Sequence, residues 1–377
     1  MSRWPITGVG AVASVGADPA QIFDNLCQGR GGLHSLRGFN RDWYNADLLY
    51  EVDDRPAPGT DVVGRATALL TTAVGQALDD AGLPRDLRGV PVLIGTGLRE
   101  LRSLELWWRD GQDFDAGRMH FGTALRERFG ADDTTTISNA CSASLYSLAL
   151  GVDLLEFRGA ETVVVAGVDV ITESMFGLSD RLQLDPPDAL RPFDRDRKGT
   201  VMGEGAAAIV LRRTDAGGGH GWVRGVGINC DAYHATAPDA GGIALAIKDA
   251  HSRAGVKPED VELVMVHGTG TPLNDAAEAT ALREVYGDHL GRPVMTGVKS
   301  MTGHTSGASG VLSLIVALRA MREGRVPPIT GLDHPAPETE GFRIVRGTAQ
   351  QADVSLAQID AFGFGGINAV AVVEAAR

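Results

Sequence analysis

The sequence predicts an α/β sandwich built on buried sheets, and two observations carry that expectation. Short runs rich in Val, Ile and Gly recur along the chain: "VPVLIGTG" at 90–97, "TVVVAGVDV" at 162–170, "VELVMVHGTG" at 261–270 and "AVAVVEAA" at 369–376. Near-continuous apolar runs of this length suit strands covered on both faces. Stretches with helical spacing lie between them, and alternation of strand and helix is the pattern of layered α/β proteins. With 377 residues, 44% of them hydrophobic, the chain can fill a large core or two fused halves.

Taken in order, the run at 90–97 is followed by a segment, 98–133, of mixed character. Its paired Trp107 and Trp108 are readable as core, interface or pocket wall. After Cys141, the residues Leu145, Leu148, Ala149, Val152 and Leu155 recur at helical spacing, and Gly159 is a stop signal. "GAAAIVLRRTDAGGGHG" closes another strand pattern and enters a glycine-rich loop at 216–221. This loop predicts a boundary between an N-terminal half, 1–215, and a C-terminal half, 216–377. Each half contains a strand, a helix and further strands, without a residue-level repeat of fixed period.

Charge and cysteine usage exclude several classes. A net charge of −13 argues against a general nucleic-acid binder, which needs a basic face. No apolar run approaches the roughly 18 to 20 residues of a membrane span, and the opening residues lack signal-peptide features, so a cytoplasmic enzyme without a membrane partner is expected. Cys27, Cys141 and Cys230 are far apart, odd in number and without CxxC spacing. Neither a disulfide framework nor a metal site is expected from them.

Cys141 sits where "TTTI" gives way to the Leu145 helix pattern. A strand-to-helix turn offers backbone N–H groups and a helix dipole that would lower the thiol pKa and expose the sulfur. Alone, such a cysteine is more often a small buried residue. Two histidines add weight, because each opens a glycine-rich loop outside an apolar segment: His267 in "HGTGTPLND" and His304 in "GVKSMTGHTSGASG", five residues after Lys299. Strand ends of this kind commonly carry functional side chains in α/β proteins. A fourth piece, "AFGFGGINAV" at 361–370, flanks Phe364 with glycines. It reads as an oxyanion loop with inward N–H groups, or as a tight turn before the last strand.

Six ordered motifs, "NACSAS", "RPFDRDRKGTVMGEGAA", "CDAYHATAP", "HGTGTPLNDAAE", "VKSMTGHTSGASG" and "FGFGGIN", resemble the β-ketoacyl synthase family of condensing enzymes, close to its elongating Cys-His-His type. The likeness spans nearly the whole chain and is weakest at about 35–60 and 98–133.

The resemblance implies a thiolase-like five-layered αβαβα sandwich of two similar halves, assembled as a homodimer, with a heterodimer containing a ketosynthase-like subunit as the alternative. It implies decarboxylative Claisen condensation of an acyl group on Cys141 with malonyl-acyl carrier protein, in a specialised polyketide-like or fatty-acid-derived pathway. No tightly bound cofactor is implied; acyl carrier protein delivers its phosphopantetheine thioester. His267 and His304 map to the pair that assists decarboxylation, as neutral imidazoles presenting Nε–H. The backbone N–H groups of Cys141 and Phe364 map to the oxyanion hole, and Phe364 also to the family's gate. Lys299 and Glu278 map to a supporting pair that orients His304 and the loops, with Asp275 beside them. Thr269 and Thr271 map to pantetheine contacts, against which stands plain loop hydrogen bonding. Arg191, Asp194 and Glu204 are read as ties between loops near the entrance.

The chain departs from the family before Cys141. "LRELRSLELWW" replaces a small glycine pair and brings Arg99, Glu100 and Arg102 towards the expected acyl pocket, unless they lie on a solvated helix face. Leu104, Leu106 and Trp107 are candidate pocket residues. Of the basic helix on which relatives often dock the carrier, only Arg65 remains, with Arg195, Arg197 and Lys198 as other cations. Two other outcomes stand beside condensation: acyl transfer or cyclisation through the same acyl-cysteine, and a non-catalytic subunit that sets chain length. The presence of Cys141 and both histidines argues against the last.

Overall fold

The computed structural model describes residues 3–55, 59–182, 185–214 and 219–376. The boundary expected between 215 and 216 lies outside the described residues. Eleven strands share one hydrogen-bonded array: β1 (Trp4–Ala13), β2 (Val92–Thr96), β3 (Thr134–Ser138), β4 (Thr162–Asp169), β5 (Gly205–Arg212), β6 (Gly221–Cys230), β7 (Leu263–Met265), β8 (Val294–Thr296), β9 (Arg343–Ile344), β10 (Leu356–Gly363) and β11 (Ile367–Ala375). The helices that position the site are α1 (Arg65–Asp80), α2 (Leu101–Asp110), α3 (Ala143–Phe157), α4 (Ala240–Ala254), α5 (Pro272–Tyr286) and α6 (Ser309–Glu323).

Strand order exposes the internal symmetry that residue-level comparison within the chain did not. The first half runs β1-β5-β4-β2-β3 and the second β6-β11-β10-β7-β8, with β9 added at the far edge. In each half the first two pairings are antiparallel and the last two parallel. Among the described residues, the half-sheets join where Trp4, Pro5 and Ile6 pair with Val223, Trp222 and Gly221.

Three apolar cores turn this array into five layers. The central core contains Leu145, Leu148 and Leu155 of α3 and Val311, Leu314 and Leu318 of α6, packed against residues of both half-sheets. Helix α1 covers the outer face of the first half-sheet through Leu70, Val74 and Leu78. Helices α4 and α5 cover the second through Ile243, Ile247 and Leu282. The result is the expected thiolase-like αβαβα sandwich. Residues Ala140–Phe157 are long and apolar enough, by length and composition, to cross a membrane, contrary to the expectation that no run approaches that length. Here they are the central helix and the turn that leads into it, and their hydrophobicity is that of a segment facing two sheets.

Gly310 lets the two central helices meet at their N-terminal ends. A Cβ there would lie 2.6 Å from Leu145 Cγ, so only glycine permits the approach. Val311 N donates to Ser144 Oγ at 3.2 Å across the same contact. The turns leading into α3 and α6 are thereby brought together, and these turns carry Cys141 and His304.

Candidate active site

Strand β3 ends at Ser138, and a helical turn, Ala140–Ser142, leads directly into α3. Ala140 has a φ of 48°, the left-handed region that costs a non-glycine residue free energy, so Cys141 is presented on a strained turn. Its Sγ lies 3.0 Å from His304 Nε2. His304 follows the short helix Lys299–Thr302, and its backbone is pinned on both sides: its N–H donates to Val201 O at 2.9 Å and its carbonyl accepts from Gly203 N at 3.1 Å. The charged motif "RKGTVMGEG" therefore supports the His304 loop through backbone bonds.

His267 stands edge-on to His304, with ring centroids 5.5 Å apart and planes at 83°. Lys299 Nζ reaches His267 Nδ1 at 3.3 Å and also donates to the His267 carbonyl. A lysine can only donate, so Nδ1 accepts and the ring proton sits on Nε2. His304 is fixed in the same way, because Ser306 N donates to its Nδ1 at 3.2 Å. Both imidazoles thus carry Nε2–H.

Burial, with the Lys299 charge as the next cause, pushes His304 down to about 3 and His267 well below its ordinary range. Both rings are neutral near pH 7. Burial acts oppositely on Cys141 and pushes its thiol up to about 11, with Lys299 opposing and Asp169 adding to the rise. The lowered thiol pKa expected from the turn is overturned: desolvation of the anion outweighs the nearby donors.

The supporting residues surround His267, not His304. Glu278, in α5, accepts from His267 N at 2.6 Å and Gly268 N at 2.8 Å. Lys299 contacts the ring and carbonyl of the same residue. Of the expected support for His304 and the loops, the bonds of this pair go to His267 and its loop. Asp275 accepts from Phe193 N at 2.7 Å and from the Thr269 and Gly270 N–H groups at 3.1 and 3.2 Å, and burial pushes it up to about 6. Thr269 and Thr271 share a 3.0 Å hydroxyl contact, and Thr271 caps α5 through Asn274 N. The contact between them uses one of the two hydroxyl protons.

Phe364 is the first residue of the turn joining β10 to β11, where Gly365 and Gly366 have φ of 85° and 71°. It is 57% exposed. A Cβ on the preceding Gly363 would lie 3.4 Å from Cys141 N, so this turn runs beside the nucleophile candidate.

The segment before Cys141 departs most from expectation. Glu100 and Arg102 do not face solvent; each is about 1% exposed. The Glu100 carboxylate accepts from Ala66 N and Thr67 N at the start of α1 and from Ser103 Oγ. Arg102 Nε meets Asp61 at 2.7 Å, its Nη2 donates to Gly38 O at 3.0 Å, and its Nη1 lies near Glu105 and Glu173. Trp107 points outward, half exposed, while Leu106 is buried and Leu104 partly so.

Arg65 is lost to docking, because its side chain is buried against Glu204, with Nη2–Oε1 of 2.5 Å. Arg197 pairs with Glu338 and Asp275, Lys198 with Asp185, and Arg195 stays largely exposed. Glu204 does tie loops, through Arg55, Arg65 and Val52 N, and Asp194 accepts from His334 N and Asp196 N. Arg191 pairs with its near neighbour Asp188.

Sequence reasoning passed over Asp169. It is the lone acid in "TVVVAGVDV", and a carboxylate inside an apolar strand run was the available signal.

Residues 52–216 match the N-terminal domain and residues 220–333 the C-terminal domain of β-ketoacyl synthase. The chain is 32% identical to 3-oxoacyl-(acyl-carrier-protein) synthase 2 of Synechocystis sp., over 97% of this chain and 96% of that one. Nodulation protein E of Rhizobium meliloti is 28% identical over 98% of both. Among solved structures, the ishigamide ketosynthase/chain length factor is similar over all of both chains, at a TM-score of 0.89 and 30% identity. A type II polyketide ketosynthase in complex with its acyl-carrier protein shares the fold at a TM-score of 0.87 and 20% identity. With the strand order, the paired neutral imidazoles and the cysteine at the head of the central helix, these likenesses settle the family: the chain is a β-ketoacyl synthase, a condensing enzyme of the acyltransferase type.

Proposed function

We propose that Cys141, His267 and His304 carry out decarboxylative condensation on thioesters delivered by an acyl carrier protein. The observation that carries this reading is the 3.0 Å approach of His304 Nε2 to Cys141 Sγ beside a second imidazole in the same tautomer. In the first half-reaction the Cys141 sulfur attacks the acyl thioester, the carbon–sulfur bond to the phosphopantetheine arm breaks, and the thiol proton leaves on the pantetheine sulfur. His304 Nε2–H steadies the sulfur as its proton departs. Because the resting thiol is neutral, deprotonation accompanies attack.

In the second half-reaction the two Nε2–H groups hold the malonyl thioester oxygen. As carbon dioxide leaves, they stabilise the enolate oxygen without giving up a proton, which neutral imidazoles suit. The enolate carbon attacks the acyl-Cys141 carbonyl, whose oxygen is held by the backbone N–H groups of Cys141 and Phe364. Collapse expels the Cys141 sulfur as a thiolate, which takes a proton from water to restore the resting thiol, and leaves a β-ketoacyl carrier thioester. Lys299, Glu278 and Asp275 hold the His267 loop, and Thr269 and Thr271 shape the arm's channel.

The enzyme works in the cytoplasm, in a specialised polyketide-like or fatty-acid-derived pathway, as a dimer of two thiolase-like halves each. Strand β3 supports the dimer: it is the sheet's edge, its residues are partly or fully exposed, and Leu150 and Phe157 of the neighbouring α3 are exposed beside it. A second copy is the partner proposed for that edge, and a ketosynthase-like subunit is the other occupant to be tested.

Incubation with acyl- and malonyl-carrier protein, followed by intact mass of the enzyme and of the products, tests the reading. An acyl adduct on Cys141 and a β-ketoacyl product support it. Product without loss of carbon dioxide would point to acyl transfer or cyclisation, and absence of both adduct and decarboxylation would overturn catalysis.

A further inference from the structure

We propose that Asp169 is a positioning residue of the condensing site: its carboxylate clamps the loop after β2 to the loop carrying His304, and so sets the approach of His304 to Cys141. Asp169 is the last residue of β4 and is about 1% exposed. Its Oδ1 accepts from Thr96 Oγ1 and Leu98 N, both at 2.8 Å, and its Oδ2 from Gly97 N at 2.7 Å and Gly307 N at 2.6 Å. All four partners are donors. Thr96 Oγ1 also accepts from Arg99 N at 2.8 Å, which leaves its O–H free to donate to the carboxylate. Burial pushes the Asp169 carboxyl up, and the hydrogen bonds from Gly97, Thr96, Leu98 and Gly307 oppose that rise by favouring the carboxylate.

The clamp reaches both reacting groups. Thr96 O accepts Asn139 N at 3.2 Å, two residues before Cys141. Gly307 follows Ser306, whose N–H fixes His304 Nδ1 at 3.2 Å, and Ser306 itself is strained at a φ of 46°. One side chain from the first half thus fastens a loop of its own half to a loop of the second. The fit leaves no slack: a Cβ on Gly307 would lie 2.5 Å from Thr96 Cα and 2.9 Å from Asp169 Oδ2.

The same carboxylate acts on the sulfur through its charge. The titratable groups facing Cys141 are His304 and His267 from their loops, Lys299 from its short helix, and Asp169 from β4. Lys299 lowers the thiol pKa, Asp169 raises it, and the histidines are neutral. Asp169 therefore helps keep the resting thiol protonated until a thioester arrives.

The inference rests on Cys141 being the nucleophile, and alkylation by iodoacetamide tests it without any acyl substrate. Asp169→Asn removes the charge and turns two donors towards backbone N–H groups. The alkylation profile of Cys141, read by intact mass across pH, is expected to move about one unit towards lower pH. Condensation kcat is expected to fall about tenfold or more, with KM for the malonyl carrier within about twofold. Thr96→Val removes one donor to the carboxylate, and the acceptor for Arg99 N, but keeps the charge; it is expected to lower kcat by less and to leave the alkylation profile in place, which serves if Asp169→Asn does not fold. A folded Asp169→Asn protein with the wild-type alkylation profile and kcat, or a folded Thr96→Val protein with the wild-type kcat, overturns the clamp. A wild-type protein that alkylates at Cys141 but makes no condensation product overturns the proposed reaction and leaves the clamp testable.

Discussion

Lys299 Nζ donates to Nδ1 of His267 at 3.3 Å and to the backbone carbonyl of the same residue. Those two bonds determine which ring nitrogen of His267 faces the substrate as a donor. Lys299→Met keeps the length and removes the donor, so the ring can take the wrong tautomer. Decarboxylation of malonyl-carrier protein is expected to fall about a hundredfold. Acylation of Cys141 from acyl-carrier protein, followed by intact mass, is expected to lose far less, since His304 keeps its own fixing bond from Ser306. Equal losses in both half-reactions would show that Lys299 serves the whole site and not one histidine.

The same geometry separates the histidines. His304 touches the sulfur and His267 does not, so His304→Ala is expected to slow both half-reactions and His267→Ala mainly decarboxylation. Release of labelled carbon dioxide and acyl-enzyme mass, measured on the same samples, give the two rates. If His267→Ala slows acylation as much as His304→Ala, the assignment fails.

Much of this site was legible because its residue types sit where glycines bend the chain: Cys141, His267, His304 and the Phe364 turn lie at strand ends or helix starts, and local sequence describes such places well. The apolar runs foretold β2, β4, β7 and β11 for the same reason. What was not legible depends on partners distant in the chain. Arg102 reads as a solvated helix charge until Asp61 and Glu173 are brought to it, and Arg65 reads as a docking cation until Glu204 covers it. The orientation of Lys299 towards His267 was equally invisible, because both histidines lie within reach of it in any linear reading. The thiol pKa was misjudged because the turn is local whereas burial is set by both halves.

The Arg102 cluster gives a stability prediction. Its guanidinium is the shared partner of Asp61, Glu105 and Glu173, and it also lies over the Phe39 ring at 5.1 Å. Arg102→Met would leave the buried Asp61 with Arg55 at 2.7 Å and Arg65 at 4.0 Å. Removing one member of a buried ionic cluster costs about 3–5 kcal/mol, so urea unfolding is expected to show a loss of that order. Arg109→Met, at the exposed end of the same helix, is expected to cost about 1 kcal/mol or less. A change at Arg102 no larger than at Arg109 would mean that water reaches the cluster and screens it.

The edge strand gives an assembly prediction. Thr135→Lys together with Phe157→Asp places charges on the exposed edge and on the neighbouring α3 without touching the core. The unaltered protein is expected to sediment as a dimer and the double variant as a monomer. If both sediment alike, the second copy does not use this edge.

The neutral histidines also predict how stability follows pH. His304 is held at about 3 in the fold against an ordinary 6.5, so between those values the unfolded chain binds a proton that the folded one does not. Stability therefore rises with pH through that window and is lost as pH falls from about 6.5. Asp275 acts with the opposite sign, because burial holds it up at about 6 against an ordinary 3.8 and the folded form then carries the extra proton. The total curve mixes the two effects, so the informative quantity is the difference between wild type and His304→Asn. That difference is expected to shrink on going from pH 7 to pH 5, by up to about 1.4 kcal/mol per unit once the pH is below the ordinary histidine value. Urea unfolding at both pH values measures it. A difference independent of pH would mean that His304 takes up its proton in the folded site, and a charged imidazole there would donate to the enolate as an acid instead of steadying it as a neutral ring.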